Sequence, residues 1–407
     1  MRIVLVTRFY PPDTGGGGIA AYARYLALGL RCAGHPVRVI SRMVPGSEPR
    51  RLVEGIEVFR LQPPEIPYRY HRVPLAGRYL RFLNDLGYAW AVRRKLLELS
   101  EAQPPDIVEY ADIDAEGLFH PSEVAPAVVK LHTPHFILRR YYSGAELPYD
   151  TATVGHLERL FIRQASGLSS PSRYLASAVA EECGLPETDI AYVPNMIDAS
   201  FFAPQNGEDD ELPMVLYVGR LEHRKGVWVF AKSIPIVARR APNARFVFLG
   251  RDGCDARGRS QKAALHQYLE SEGVAHCVEF HGDASPDVFL DHYCRATVCV
   301  MPSLFENCPY TLLEAMSCAR PVVVSRAYGM AEMIADGESG LFFEPENAEH
   351  LAEQAIRLLE RPALRAELGA GARAKVLRDY SLEVGTEKTL AFYKAVLSRQ
   401  GSRCASS

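Results

Sequence analysis

Residues 302–321 read PSLFENCPYTLLEAMSCARP, and this stretch with its flanks gives the strongest indication of architecture. The apolar run at 296–301 predicts a short buried strand before it, and PVVVS at 321–325 predicts another after it. A strand, a polar turn, a helix and a second strand form a βαβ unit, whose turn lies at the ligand-binding carboxyl edge of an open sheet. Glu306 and Glu314 are therefore placed for a ligand rich in hydroxyl groups, such as a nucleotide sugar.

The composition is that of a globular protein with more than one domain. A chain of 407 residues is too long for one ordinary core. The formal net charge of -3 argues against a nucleic-acid partner. The apolar run in MRIVLVTRFYPP is too short for a signal peptide, and no segment approaches the roughly 20 apolar residues of a membrane span, so we expect a cytoplasmic protein. The nine scattered cysteines contain no CxxC and are expected to be free thiols rather than zinc ligands.

Strand-like runs alternate with amphipathic helical stretches along the whole chain. This alternation predicts an α/β protein with two Rossmann-like, doubly wound parallel-sheet domains facing each other across a cleft. The predicted domains are 1–200 and 201–381, followed by a helix at 382–400 and a disordered GSRCASS tail. Residues 194–213, with the acidic run EDDE at 208–211, are interpreted as an exposed linker that contains the hinge. The predicted strands are 2–7, 37–41, 56–61, 107–109, 128–131, 168–170, 190–193, 214–218, 245–249, 278–280, 298–301 and 322–325.

A candidate anion site lies where the second half opens with MVLYVGRLEHRKGVWVF at 214–230. A strand ends there at Gly219, and a helix is predicted to begin near Lys225. His223, Arg224 and Lys225 crowd the helix N-terminus, where each positive charge opposes the macrodipole by about 0.3–1 kcal/mol. A bound anion would offset that conflict. The alternative is a set of surface bases on an exposed turn, but the two glutamates in the same half favour the anion site.

A second candidate anion site follows the first strand, where RFYPPDT leads into glycines 15–18 and a helix at 19–30. Glycines before a helix let the backbone approach a phosphate closely, although a flexible turn is the alternative. A dinucleotide-binding fingerprint needs GxGxxG tight against the strand and an acid about twenty residues later. Here seven residues intervene, and the next strand ends in Ser41 and Arg42. A nicotinamide-dependent dehydrogenase is therefore not predicted.

Several segments together resemble the retaining glycosyltransferases of family 4, which have the GT-B fold. FENCPYTLLEAM at 305–316 resembles the EX7E motif of that family. The other matching segments are GGGGIAAYARYLALGLRCAGHPVRVI at 15–40, VVKLHT at 128–133, SSPSRYLA at 169–176, YVPNMIDASFF at 192–202, VGRLEHRKGV at 218–227 and GLFFEPENAEHLAEQAI at 340–356. The resemblance covers nearly the whole chain, and the joint match is specific even though each segment alone is not.

The resemblance implies roles for individual residues. Arg220 and Lys225 correspond to the basic pair that holds the donor diphosphate, and Glu314 to the carboxylate on the ribose hydroxyls. Glu306 corresponds to the carboxylate beside the donor sugar, and His132 to the histidine that contacts the sugar ring from the first domain. The implied catalytic residues are Glu306, His132, Arg220 and Lys225. The implied donor-binding residues are Gly17, Gly18, Arg220, Lys225, Glu306, Asn307, Tyr310, Thr311 and Glu314.

Two positions depart from the family pattern. Pro309 stands where many members have glycine, and proline lacks a backbone N–H. It suits the first position of a helix, which would leave the amides of Tyr310 and Thr311 directed at an anion. Met196 stands in a turn where the family often has asparagine followed by glycine. The last helix of such folds commonly crosses back onto the first domain, and we expect this of residues 382–400.

The resemblance implies transfer of a hexosyl group, with retention, from a nucleotide diphosphate sugar to a hydroxyl acceptor. A UDP-sugar is preferred over a GDP-sugar, and the acceptor is a sugar, a lipid-linked molecule or a small molecule. Attack on the front face would proceed through an oxocarbenium-like transition state while the departing phosphate helps to deprotonate the acceptor. Arg220, Lys225 and helix N-termini would stabilise the leaving group. Because these groups already supply positive potential at the leaving group, we predict no metal and no other cofactor. Glu306 is expected to position the sugar and support it electrostatically, not to act as a nucleophile.

Residues 68–95 are basic and aromatic and hold a single acid, Asp85. Such a helix can lie on an anionic membrane, here the inner face, to meet a lipid-linked acceptor. The alternatives are a solvated helix face and a pocket for a soluble anionic acceptor. The bases and aromatic residues are Tyr68, Arg69, Tyr70, Arg72, Arg78, Tyr79, Arg81, Tyr88, Trp90, Arg93, Arg94 and Lys95.

Other functions remain open from the sequence. A GT-B-type nucleotide-sugar epimerase would need no acceptor, and a silent nucleotide-sugar-binding protein would transfer nothing. A phosphorylase would be expected to have a much longer chain with a cofactor-binding lysine region. His132 has a structural alternative of its own, as a histidine whose hydrogen bonds are satisfied at the end of a strand, and His135 is assigned no role.

Overall fold

The computed structural model of the protein describes residues 1–12, 17–63, 76–141, 151–205, 212–255 and 257–404. The chain divides into two compact units. Unit 1 comprises Met1–Arg140, Leu147–Met196 and Leu382–Ser407, and unit 2 comprises Tyr141–Glu146 and Ile197–Ser381. Residues 13–16 of the glycine loop, 64–75 of the basic stretch, the acidic run 208–211 and the last three residues lie outside the described parts.

Unit 1 is built on a sheet whose described strands run in the spatial order β3-β4-β2-β1-β5-β6-β7-β8. The strands are β1 Ile3–Val6, β2 Val37–Arg42, β3 Arg50–Val53, β4 Ile56–Leu61, β5 Ile107–Ala111, β6 Ala127–Lys130, β7 Gly167–Ser170 and β8 Ile190–Tyr192. The helices are α1 Gly18–Cys32, α2 Ala76–Ala102, α3 His135–Leu138, α4 Thr151–Gln164, α5 Arg173–Cys183 and α12 Leu382–Cys404. Every residue of β1, β5 and β6 is buried, as expected for parallel strands covered by helices on both faces.

Unit 2 has a parallel sheet whose described strands run in the order β11-β10-β9-β12-β13-β14. The strands are β9 Met214–Val218, β10 Arg245–Leu249, β11 Val278–His281, β12 Val298–Met301, β13 Val322–Ser325 and β14 Leu341–Phe343. The helices are α6 Val227–Arg240, α7 Gln261–Ser271, α8 Pro286–Arg295, α9 Tyr310–Ser317, α10 Ala348–Glu360 and α11 Pro362–Asp379. The two parallel-sheet α/β units confirm the predicted fold class at this level.

Each sheet has a point where the direction of winding reverses. In unit 1 the chain adds β2 on one side of β1 and later β5 on the other, and in unit 2 it adds β10 and later β12 on opposite sides of β9. Ligands of open α/β folds bind in the crevice at such switch points. The segment 219–226 follows β9 and the segment 302–309 follows β12, so both candidate donor-binding loops of unit 2 border its switch point.

One strand of unit 1 was not predicted, and two expectations were wrong. β3 pairs antiparallel with β4, because residues 54 and 55 reverse the chain with positive φ angles of 49° and 76°. The expected exposed linker begins as buried chain: residues 194–197 are buried, and the Ile197 N–H donates to the Tyr380 carbonyl at 2.9 Å. Phe202 is 3% exposed, whereas residues 200, 201, 204, 205 and 212 are exposed as predicted. Residues 401–404, expected to be disordered, continue α12.

The final helix packs within unit 1. Gly29 of α1 faces Thr386 of α12 so closely that a Cβ at position 29 would lie 2.0 Å from Thr386 Oγ1. Glycine at this position therefore lets the two helices approach. Among the helices of the described chain, none combines the length and the apolar character that crossing a bilayer requires.

Candidate functional site

The turn after β9 packs against the turn after β12. Gly226 caps α6 with φ 69°, and a Cβ there would lie 1.8 Å from the Pro302 carbonyl oxygen. Only glycine combines that left-handed conformation with this approach to a neighbouring backbone. The Leu304 N–H also donates to the Arg224 carbonyl at 2.8 Å. The loop that carries the predicted phosphate-binding bases is thus fixed to the loop that carries Glu306.

Glu306 is held by two cations. Its carboxylate pairs with Lys225 Nζ and, at 3.0 Å, with Arg224 Nη1, and its side chain is only 14% exposed. Arg224 also donates to the Phe305 carbonyl at 2.8 Å, so it anchors the loop as well as the carboxylate. Arg224 has no predicted role of its own, because nothing in the sequence HRK indicates which of the neighbouring bases is buried.

The charges of this group are strongly coupled. Burial alone would raise the pKa of Glu306, but Lys225 and Arg224 outweigh it and hold the pKa at about 2. Burial lowers the pKa of Lys225, and the Glu306 carboxylate opposes that change. Glu306 is therefore an ionised, hydrogen-bonded carboxylate at neutral pH, and it is poorly suited to donate a proton or to act as a free nucleophile.

Arg220 is the exposed member of the basic group. Its side chain is 57% exposed, and Nη1 lies 2.9 Å from Glu222 Oε1. Glu222 also lies 3.7 Å from Arg224. The expectation that a ligand must offset the crowded bases is too simple, since Glu222 and Glu306 pair with them. Arg220, Arg224 and Lys225 still exceed the two carboxylates by one positive charge, beside the N-terminus of the 14-residue helix α6. The group can attract an anion.

Glu314 has a different environment from Glu306. It lies in the second turn of α9 and accepts a hydrogen bond of 2.8 Å from the hydroxyl of Tyr293, a residue of α8. Burial raises the pKa of Glu314 to about 7, although the Tyr293 hydrogen bond acts in the opposite direction. Glu314 therefore exchanges its proton near neutral pH. The sequence analysis did not identify Tyr293, which precedes Glu314 by 21 positions in another helix.

The helix α9 begins one residue later than expected. Pro309 has the extended backbone of an N-cap residue (φ −70°, ψ 134°), so the prediction that it occupies the first helical position is wrong. Tyr310 and Thr311 instead open the helix, and the first amides of a helix have no partner within it. The side chains of Asn307 and Tyr310 are buried, whereas Thr311 is half-buried.

His132 lies in unit 1, two residues after β6. Its N–H donates to Asp112 Oδ2 at 2.9 Å, and its ring meets the Tyr22 ring edge-on with 4.9 Å between centroids. Burial, followed by the charge of Lys130, lowers the pKa of His132 to about 3. The imidazole is therefore neutral at physiological pH and can exchange hydrogen bonds with an uncharged sugar.

The described glycines before α1 are placed at its N-terminus. Gly18 is the first helical residue and Gly17 is the N-cap, with an extended φ of 172°. A Cβ at Gly17 would meet nothing within 4 Å. Among the described residues, neither the backbone conformation nor a neighbouring atom requires glycine at position 17. A glycine there would let a ligand approach the backbone closely.

The structure brings some predicted residues together and leaves others apart. Arg220, Lys225 and Glu306 belong to one network of ion pairs in unit 2. Glu314 makes its described hydrogen bond with Tyr293, away from that network. The remaining predicted positions are Asn307 in the loop before α9, Tyr310 and Thr311 in its first turn, and Gly17, Gly18 and His132 in unit 1.

Part of the basic aromatic stretch 68–95 is core. Tyr88 is 1% exposed and packs under Arg8, whose guanidinium carbon lies 5.0 Å from the ring centroid. Asp85, the single acid of the stretch, is also buried and pairs with Arg8 at 2.8 Å. Trp90 is 54% exposed. The described surface of this stretch is therefore less aromatic than the sequence indicated.

One cluster among the described residues has the spacing of metal ligands. It comprises Asp114, His135 and Glu158, all buried. The Glu158 oxygens already accept from His135 Nδ1 at 2.7 Å, from the His135 N–H at 2.7 Å and from the Asp114 N–H at 3.0 Å. These contacts describe a hydrogen-bonded group of the core that joins α3, α4 and the segment after β5.

Comparisons with known proteins agree with this architecture. A family model described as Glycosyltransferase Family 4 matches residues 16–201, and one described as Glycosyl transferases group 1 matches residues 198–375. A glycogen synthase of Mycobacterium tuberculosis is 26% identical over 422 aligned positions, covering 99% of this chain and 96% of that protein.

Solved structures show the same fold. Sucrose-phosphate synthase from Thermosynechococcus elongatus has a TM-score of 0.79 at 21% identity, covering 98% of this chain and 99% of that one. The Anabaena protein HepE, solved in complex with UDP-glucose, has a TM-score of 0.70 at 16% identity, covering 99% and 100% of the two chains. The two family models together span residues 16–375. The chain therefore belongs to glycosyltransferase family 4 and has the GT-B fold, as its sequence motifs indicated.

Proposed function

We propose that the protein is a retaining, metal-independent hexosyltransferase that uses a nucleotide diphosphate sugar. A UDP-sugar is the first candidate for the donor and a GDP-sugar the second. The acceptor is a hydroxyl of a sugar, a lipid-linked molecule or a small molecule. The observation that carries the proposal is the network in which Lys225 and Arg224 hold an ionised Glu306 beside the exposed Arg220, at the switch point of unit 2.

The donor assignment rests on chemical fit. The excess positive charge beside α6 suits a diphosphate, and Arg220 can form the bidentate contacts that phosphate oxygens accept. Glu314 offers a carboxylate for the ribose hydroxyls, one turn beyond the amides that open α9. The solved structure of HepE with UDP-glucose supports uracil as the first base to test. Because Arg220 and Lys225 can supply the positive potential at the leaving group, the proposed reaction needs no metal ion.

If the configuration is retained, the state of Glu306 favours front-face attack over double displacement. A double displacement needs a carboxylate free to attack the anomeric carbon, whereas Glu306 is bound by Lys225 and Arg224 and has a pKa of about 2. Front-face attack assisted by the departing phosphate needs no protein nucleophile. The neutral His132 would contact the sugar ring without adding a second positive charge next to an oxocarbenium-like centre.

A thermal-shift panel of UDP, GDP and ADP, each with and without EDTA, tests the donor site. A ligand at 100 times its dissociation constant stabilises the folded state by about 2.7 kcal/mol, which raises the melting temperature of a domain of this size by roughly 5–11 °C. We expect a shift with UDP that EDTA leaves unchanged. The R220A variant should lose most of it, whereas K232A, which removes an exposed cation from the same helix α6, should not. No shift with any diphosphate would refute the donor site, and a shift that EDTA abolishes would refute metal independence.

Product analysis tests the reaction itself. The protein is incubated with the donor that binds and with a panel of sugar and lipid-linked acceptors, and the anomeric configuration of the product is read from its proton coupling constants. We expect the configuration of the donor to be retained. An inverted product would refute the mechanism while leaving glycosyl transfer intact.

Peripheral contact with an anionic membrane is the part of the proposal that concerns residues 68–95. It is supported by Leu83 and Trp90 of α2, which are 49% and 54% exposed, next to the exposed Arg94. Flotation with phosphatidylglycerol-containing liposomes at low salt should recover the protein in the lipid fraction, and less of a W90A variant. L377A, which removes an exposed leucine from unit 2, is the control. Absence of binding at low salt would exclude the membrane contact.

A further inference from the structure

A buried carboxylate behind His132 is held by two helices. Glu109 of β5 is 4% exposed, and its two oxygens accept from the Tyr22 hydroxyl at 3.0 Å and from the Tyr393 hydroxyl at 2.8 Å. Tyr22 lies in α1, and Tyr393 lies in α12, 284 positions after Glu109. Glu109 thereby fastens the final helix of the chain and the first helix to the same strand at the centre of unit 1.

Tyr22 also connects this carboxylate to His132. Its ring packs edge-on against the imidazole, and the ammonium of Lys130 lies 4.9 Å from the centroid of the same ring. All four side chains line one small cavity of about 10 Å³, which has room for no more than about one water molecule. Because the Tyr22 ring contacts the imidazole directly, we expect a shift of this ring to change the position of His132.

The same helices also place the glycine end of α1. The contact between Gly29 and Thr386 sets the distance between α1 and α12, so the position of α12 determines where α1 lies on the sheet. Gly17 and Gly18 stand at the N-terminus of α1, one to two turns before Tyr22. Loosening α12 would therefore displace the glycine pair together with the ring that supports His132.

Glu109 balances the charge of the buried Lys130, but this alone does not require hydrogen bonds from two helices. Burial raises the pKa of Glu109, which means that the protein destabilises its charged form, although Lys130 and the two tyrosine hydroxyls oppose this. Replacing a buried ionic group by a well-packed apolar side chain is often neutral or stabilising. What Glu109 supplies, and an apolar residue would not, is a directed anchor for two hydroxyls from different helices.

We propose that Glu109 and Tyr393 are positioning residues for sugar transfer, which hold Tyr22, and through it His132, in the orientation that the reaction requires. The inference rests on the proposed function, in which His132 faces the donor sugar. It gives the C-terminal helix α12 a role in the reaction, although none of its residues is assigned to the site.

The test compares Y393F with Y110F. Both remove one hydroxyl from a tyrosine that is at most 1% exposed in unit 1. Tyr110 follows Glu109 in β5, so the two side chains point to opposite faces of the sheet, and the Tyr110 hydroxyl bonds to His120 at 2.8 Å. We expect kcat to fall on the order of 10- to 100-fold in Y393F, as for a displaced catalytic group, while UDP affinity changes by less than about twofold. Y110F should keep its kcat. Equal kcat in Y393F and the wild type, or an equal loss in Y110F, would overturn the proposal.

Two further measurements separate positioning from general damage. When Y393F is added to the H132A variant, kcat should fall by a further factor of less than about two, because the His132 imidazole through which Tyr393 acts is already absent. A full additional loss would show that Tyr393 acts elsewhere. In the free protein, the His132 ring-proton signals should move in Y393F and not in Y110F, since they sense the ring current of Tyr22. If the His132 signals do not move in Y393F, the positioning role is refuted, whether or not the wild type transfers sugar. A wild type that transfers no sugar would by itself refute only the proposed function.

Discussion

Replacing Glu306 by glutamine should separate nucleotide binding from sugar transfer. The pKa of Glu306 lies at about 2 against an ordinary value of 4.5, and this difference corresponds to about 3 kcal/mol of net favourable interaction of the ionised form. Because the folded-state pKa is the lower one, this stabilisation is present above about pH 4.5 and is lost as the pH falls towards 2. E306Q keeps the shape and removes the charge. We expect a loss of up to about 3 kcal/mol in the free energy of unfolding at pH 7 that largely disappears in acid.

The same change should lower turnover without weakening nucleotide binding. Removing one carboxylate raises the net charge of the five-residue group from one positive charge to two, so its attraction for a diphosphate cannot weaken on electrostatic grounds. Loss of a preorganised charge beside the reacting sugar should lower kcat about 10²- to 10³-fold. Isothermal titration with UDP and steady-state kinetics measure the two effects, with E360Q, which breaks the exposed Arg240–Glu360 pair, as the control. Unchanged turnover, or a loss of UDP affinity as large as the loss of kcat, would refute the assignment.

Three further outcomes are expected. Burial raises the pKa of Glu314 to about 7, and ribose hydroxyls donate hydrogen bonds to its ionised form. UDP affinity should therefore fall about tenfold between pH 8 and pH 6. In titrations of E314Q this pH dependence of the UDP affinity should be absent. G226A should lower the free energy of unfolding of unit 2 by about 2–4 kcal/mol in urea, because the added Cβ meets the Pro302 carbonyl. The control G273A has a similar φ of 73° and open space around its Cβ, so it should lower that free energy by only about 1–2 kcal/mol. His132 should remain neutral down to pH 5 in ring-proton NMR, and an imidazolium signal at pH 6 would contradict its lowered pKa.

Much of the fold could be predicted because buried parallel strands are written as short apolar runs. MVLYV, RFVFL and VCVM were located because their burial on both faces leaves no other composition available. β3 was missed because RRLV is mostly exposed and pairs only along one edge, so no hydrophobic pattern marks it. β14, a three-residue strand at the edge of the sheet of unit 2, was also missed. The sequence therefore predicts the buried central strands of each sheet but misses one edge strand of each.

The candidate site was less predictable because its properties depend on distant partners. The motif locates Glu306 and Glu314 eight positions apart but does not indicate that one has a pKa of about 2 and the other about 7. That difference arises because Lys225 and Arg224 lower the pKa of Glu306, whereas burial raises that of Glu314 against the opposing hydrogen bond from Tyr293. The partners that were not identified, Arg224 and Tyr293, lie 82 and 21 positions before their carboxylates. Neither partner is recognisable from its neighbours in the chain. The folded structure decides which base is buried and which hydroxyl faces which carboxylate.

The eight-residue spacing places the two carboxylates in different electrostatic surroundings. Glu306 lies in the loop before α9, within reach of the cations that follow β9, whereas Glu314 lies on the helix itself, where its described partner is a tyrosine hydroxyl. Two acids of the same kind can therefore hold opposite preferences for the proton, which is how a site divides two tasks between them. In the proposed reaction, Glu306 keeps a constant negative charge where the sugar gains positive character. Ribose hydroxyls can donate hydrogen bonds to Glu314 in place of the water that burial removes, and they thereby favour its ionised form. Donor binding should therefore release a proton from Glu314. The transfer step does not use this proton.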